Sequence, residues 1–187
     1  MTEDHITRTR FTVQQYEKMI ATGVLTKDDR VELIDGVILA MDTPTPRHSA
    51  VVNRLHDQLY QLNLASVLVR AHGAIRLDDY SEPQPDISIV RWQSDYYASG
   101  FPEPKDTLLV VEVTEFALSF YRDVKLPLYA RTGILEVWIV SLLQQTVDVY
   151  RAPSEAGYGE TRQLRCGDKL NALYLSDLSL MVESVLG

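Results

Sequence analysis

Apolar and polar positions change in short, well-punctuated blocks along the chain. From Thr12 to Ala21 the spacing predicts a short helix, with Thr12 as N-cap, Gln15 completing a capping box and Gly23 as the stop. In RVELIDGVILAM, apolar residues alternate with others on both sides of Asp35-Gly36. An Asp-Gly pair between two alternating runs is the signature of a tight β-hairpin. Asp42 to Pro46 holds two prolines and is expected to be a loop. His48 to Leu64 carries apolar residues at 51, 52, 55, 59 and 62, the spacing of a helix with one buried face. Val67 to Leu77 reads as one strand or two, interrupted near Gly73.

Pro83 and Pro85 break the chain before Asp86-Ile-Ser-Ile-Val, which alternates as a strand. Gln93 to Lys105 is polar, aromatic and rich in turn residues, the composition of a surface loop. Thr107 to Thr114 is nearly all apolar, the pattern of a strand covered on both faces. Ser119 to Arg131 reads as a helix that Pro127 must kink or restart, because proline cannot donate to the carbonyl of Asp123; Gly133 ends it. Strands are expected at Leu135–Ser141 and Thr146–Arg151, a loop at Ala152–Thr161, then one more strand and a terminal helix from Ser176. The resulting order is α-β-β-α-β-β-β-α-β-β, an α/β (α+β) chain with a mixed central β-sheet flanked by helices.

Composition narrows the classes. The chain has 187 residues, 45% hydrophobic and 24% charged, which fits a single folded domain over 1–187 and argues against disorder. The lone Cys166 excludes an internal disulfide framework and a multi-cysteine zinc site, and fits a reducing, cytoplasmic setting. The N-terminus lacks the apolar stretch of a secretory signal and no run is long enough to span a membrane. A net charge of −8 weighs against broad electrostatic wrapping of nucleic acid.

A few acids stand where acids are costly. Glu112 lies inside LLVVEV, on the same strand face as Leu108, Val110 and Thr114. A carboxylate there needs an ion partner or a metal. Asp86 opens its own strand after Pro85, and if the two strands are neighbours the two carboxylates lie side by side at one sheet end. Such oxygens suit a hard cation, Mg²⁺ or Mn²⁺. Glu32, on the first strand of the hairpin, is a third candidate. The plainer readings are a structural ion pair for Glu112, a turn role for Asp86 and a surface strand for Glu32.

Taken in order, VELIDGVI, PQPDISIV, LLVVEV and VKLPLYARTGILEVWIV resemble the Uma2 family (DUF820) of the PD-(D/E)XK nuclease superfamily. The resemblance covers roughly residues 10 to 151, leaving 1–9 as a flexible start and 152–187 as a C-terminal extension. It implies a restriction-endonuclease-like core, with Asp86 and Glu112 as the Mg²⁺ ligands, Glu32 in the same cleft, and DNA as substrate. The superfamily lysine usually stands two residues after the Glu, where this chain has Thr114; the resemblance assigns its role to Lys125 on the following helix. Relatives carry small residues after Glu-Val and an Asp before the lysine. Here the chain reads Thr114-Glu115-Phe116-Ala117, Tyr121 replaces the Asp with Asp123 nearby, and Ser141 replaces a strand-end Asp. The superfamily also implies a homodimer.

The sequence thus favours a metal-dependent DNA endonuclease with Glu32, Asp86, Glu112 and Lys125 as its catalytic set. Its alternatives are a nuclease-fold binding or regulatory module and a structural protein with a buried Glu112 ion pair. His48, Arg47, Arg54 and His56 are secondary candidates for the cleft or a phosphate, against capping and a solvated helix face. Tyr96, Tyr97 and Phe101 are candidates for stacking on bases or for packing the loop; Trp92 and Trp138 read as core or interface, and Cys166 as structural.

Overall fold

The computed structural model describes residues 9–26, 28–62 and 66–187. Helix α1 (Val13–Ala21) starts from Thr12 with the expected capping box to Gln15. The hairpin β1 (Val31–Ile34) and β2 (Val37–Ala40) turns at Asp35 and Gly36, which have φ of 51° and 76°. Glycine is required at 36 twice over: the backbone is left-handed, and an added Cβ would lie 2.5 Å from Arg10 Cβ.

Helix α2 (Pro46–Gln61) takes Thr45 as N-cap, so Pro46 belongs to the helix and not to the loop expected there. A proline fits the first turn, whose N–H groups have no intrahelical partner. The expected helix end at Leu64 lies outside the described residues. Strand β3 (Val67–Ala71) is one strand that stops before Gly73, and the chain to Leu77 is irregular. Strands β4 (Ile87–Arg91) and β5 (Thr107–Thr114) follow, β5 with the predicted bounds.

The predicted Pro127 disturbance appears as a change of helix type. A turn of α-helix, α3 (Leu118–Phe120), runs into a π-helical segment Tyr121–Lys125 and then α4 (Leu126–Arg131). The Leu126 N–H donates to the Tyr121 carbonyl, five residues back, widening the helix one residue before Pro127.

Strand β6 (Glu136–Ser141) pairs parallel to β5, and β7 (Thr146–Ser154) and β8 (Gly157–Leu164) continue antiparallel, giving the order β3-β4-β5-β6-β7-β8. The loop expected at Ala152–Thr161 is therefore a hairpin. Pro153 is no obstacle to it: β7 pairs with β6 only as far as Arg151, so proline's missing donor falls where one side of the strand is already open. The helix expected from Ser176 starts later: β9 (Lys169–Asn171) pairs with β10 (Ser179–Met181), and α5 is Val182–Leu186.

The central strands β5 and β6 are buried on both faces. Leu109, Val111, Val113, Trp138 and Val140 pack under α2 and α5, while Val110, Val137, Ile139 and Tyr150 pack under α4 and the β1–β2 hairpin. No helix among the described residues is long and apolar enough to cross a membrane.

Candidate active site

The parity of β5 decides what Glu112 can meet. It shares a face with Val110, so it points toward the α4 side, at the carboxyl end of the strand. Ile87 pairs with Val111 and Ser88 with Val110, which puts Asp86, just before β4, opposite Glu112 in the next register position. The β1–β2 hairpin delivers Glu32, because the Glu82 N–H bonds the Leu33 carbonyl at 2.8 Å and docks the hairpin beside β4. Lys125 arrives from the π-helical turn.

All four residues line one cleft of about 360 Å³. Lys125 Nζ lies 2.9 Å from Glu32 Oε2 and 3.0 Å from Glu112 Oε1. Tyr129 donates its hydroxyl to the same Glu112 oxygen at 2.6 Å, and the Gln84 N–H donates to Glu32 at 3.1 Å. Asp86 is held separately: its Oδ2 accepts from the Val113 N–H at 2.8 Å and lies 3.3 Å from His48 Nε2, while His72 Nδ1 is 3.8 Å from Oδ1.

Burial pushes the Glu112 carboxyl up; Lys125 opposes the rise, and the charges of Asp86 and Glu32 add to it. Burial also disfavours the Lys125 ammonium, but Glu112 and Glu32 outweigh it and hold its pKa above the ordinary lysine value. Burial and the neighbouring carboxylates raise the Tyr129 phenol, so it stays a donor. The hydrogen bond to Asp86 raises His48 against the effect of burial.

Sequence reasoning missed Tyr129, Gln84 and His72. Tyr129 had a signal, since it stands four residues after Lys125 on the same helix face. Gln84 and His72 had none, because backbone docking of other segments brings them in. Glu32 is 3% exposed and is no surface strand residue. Thr114 faces the cleft, its Oγ1 accepting from the Ala117 N–H at 3.1 Å. Arg47 pairs with Glu115 at 3.7 Å and Arg54 bonds the Val185 carbonyl at 3.1 Å. Trp138 is core, whereas Trp92 is 53% exposed and Cys166 is also exposed.

The described residues hold no cluster of three or more His, Cys, Asp or Glu able to bind a metal. The donor chemistry fits a hard ion nonetheless. Asp86 and Glu112 present carboxylate oxygens on an open cleft, and Mg²⁺ commonly binds through one or two carboxylates, completing its shell with water and substrate phosphate.

The Uma2 family, described as "Putative restriction endonuclease", matches residues 13–183 of the chain. The chain belongs to the Uma2 family. A crystal structure titled as a putative nuclease belonging to DUF820, from Anabaena variabilis ATCC 29413, superposes on this Uma2 protein with a TM-score of 0.75. At 17% identity it covers 94% of this chain and 97% of its own, which establishes a shared fold. No curated protein matches the sequence. Membership extends well past residue 151, to include β8 and part of α5.

Proposed function

We propose that this Uma2 protein is a divalent-metal-dependent endonuclease that hydrolyses DNA phosphodiester bonds. The observation that carries the reading is the meeting of Glu32, Asp86, Glu112 and Lys125, from four separate segments, in one cleft at the sheet end. Asp86 and Glu112 are the residues that would hold Mg²⁺ or Mn²⁺. A bound divalent cation supplies Lewis-acid polarisation of the phosphate and lowers the pKa of water. The Val113 N–H and His48 fix Asp86, and the Tyr129 hydroxyl fixes Glu112, so neither carboxylate must reorganise on binding. Glu32 anchors the ammonium of Lys125, which stands ready to stabilise negative charge developing on the phosphoryl oxygens. Thr114 lacks that charge, so the helix lysine takes the part.

The test is nicking of supercoiled DNA by the full chain with Mg²⁺ or Mn²⁺. Asp86→Ala and Glu112→Gln should abolish it, and an Asp86→Ala protein that cuts at the wild-type rate would remove that residue from the site. A second reading has one observation in its favour: Lys125 already neutralises part of the acidic cluster, so the fold holds together without an added cation. On that reading the protein is a binding module, and calorimetry would find no Mn²⁺ uptake and no cleavage.

A further inference from the structure

Phe116 stands at the mouth of this cleft with 75% of its surface exposed. Its neighbours are fixed. Glu115 accepts from the Thr45 hydroxyl at 2.7 Å, and the Ala117 N–H bonds Thr114 Oγ1 at 3.1 Å. The backbone on either side is thus pinned while the phenyl ring projects into solvent. Behind it, Phe120 lines the wall and meets Tyr121 edge-on with ring centroids 5.7 Å apart. Aromatic side chains therefore line the same cleft as the acidic cluster.

The electrostatics restrict what such a surface can serve. Five carboxylates line the cleft against the ammonium of Lys125 and the guanidinium of Arg30, and Arg47 at the rim is held by Glu115 and the Leu142 carbonyl. A protein that grips duplex backbone does so with many unpaired cations. An unpaired base can also be held by stacking on an aromatic side chain, a contact that needs an accessible π-face and that a paired base inside a duplex does not offer. The cleft volume of about 360 Å³ is that of a small-ligand pocket, not of a channel for a double helix.

We propose that the site takes a nucleotide whose base is unpaired, as in a single strand, a gap or a frayed end, and that Phe116 stacks on that base while its phosphate faces the divalent cation that Asp86 and Glu112 would hold. This rests on the nuclease reading above for the phosphate, but the stacking contact is tested without any cleavage.

The probe is a short single-stranded oligonucleotide carrying 2-aminopurine, compared with the same strand annealed to its complement, in Ca²⁺. Binding is read by anisotropy and stacking by quenching of 2-aminopurine. The full chain should prefer the single strand and quench it. Phe116→Ala should weaken that binding by about tenfold and lose the quench, while Phe116→Trp keeps both. Thermal unfolding of both variants should match the wild type, because the ring makes few packing contacts. Equal binding and quench in Phe116→Ala, or a preference for the paired duplex, would overturn the proposal. The two readings separate cleanly. Quenching without cleavage in Mg²⁺ or Mn²⁺ keeps Phe116 as a stacking residue and overturns the nuclease. Cleavage that Phe116→Ala leaves unchanged in rate and in strand preference keeps the nuclease and overturns the stacking role.

Discussion

Two glutamates stand in adjacent, parallel, fully buried strands and do opposite things. Glu136 opens β6 on the α2 face, and Glu112 lies near the end of β5 on the α4 face. Both are almost wholly buried, at 1% and 2% exposure. Glu136 Oε1 accepts from the Trp138 indole at 2.8 Å and from the Arg151 guanidinium at 3.1 and 2.8 Å, and its Oε2 accepts from the Leu173 N–H at 2.7 Å. Both carboxylate oxygens have fixed partners, and Glu136 lines no cleft. Glu112 concentrates its bonds from Lys125 and Tyr129 on one oxygen, Oε1, and lines an open cleft. A buried acid with both oxygens bonded and no cleft beside it holds the fold; a buried acid facing a cleft with one oxygen free can take a ligand.

The comparison breaks most visibly where one partner is removed. Glu136→Leu strands the Arg151 charge and two N–H donors, and should cost about 3–5 kcal/mol in urea unfolding, with no recovery in Mn²⁺. Lys125→Met leaves Glu112 and Glu32 as unpaired buried carboxylates and should cost about 3 kcal/mol in EDTA, but here millimolar Mn²⁺ should restore part of the melting temperature. Equal behaviour of the two variants in Mn²⁺ would erase the distinction drawn between the sites.

Glu82 sharpens the scale between them. It is 3% exposed and its Oε2 has no hydrogen-bond partner. Burial, helped by the charge of Glu17 and opposed by Arg76, raises its carboxyl from 4.5 to about 7. Between those values the folded chain holds more protons than the unfolded chain, so this group's contribution to stability is lost as pH rises through that window. Glu82→Gln should flatten the pH dependence between 5 and 7 and stabilise the protein at pH 8 by about 1–3 kcal/mol, measured by unfolding across pH. Glu112→Gln has the smallest expected effect on the fold, within about 1 kcal/mol in EDTA, because the lost charged hydrogen bonds and the relieved burial of charge offset each other. It should nevertheless abolish any Mn²⁺-dependent rise in melting temperature. A large loss of stability would make Glu112 a second Glu136.

Sequence patterning flagged Glu112 for standing in an apolar run, yet Glu136 in LEVWIV and Asp148 in VDVY stand in the same kind of run. Asp148 is another structural acid, bonded by Arg122 at 2.5 Å and Gln163 at 3.0 Å. The apolar run alone does not separate a ligand from an ion-pair partner. That depends on which side chains the neighbouring segments bring, and Arg151, Arg122 and Tyr129 are reached through strand pairing and helix packing. The β7–β8 hairpin was hidden for a similar reason: Pro153 and Gly157 look like breakers until one knows that β7 loses its β6 partner at Arg151.

What the sequence by itself determined are the features with short-range causes. The capping box at Thr12, the Asp35-Gly36 turn, the bounds of β5 and the disturbance before Pro127 are each written within a few neighbouring residues, and the family resemblance in four short segments read in order. Tertiary structure alone decided which carboxylates meet. Asp86 faces Glu112 because of the β4–β5 register, Glu32 joins them because its hairpin docks on Glu82, and Lys125 reaches both glutamates from a widened helical turn. Registers and docking are set by packing over the whole core, and that sum is not carried by any local stretch of chain.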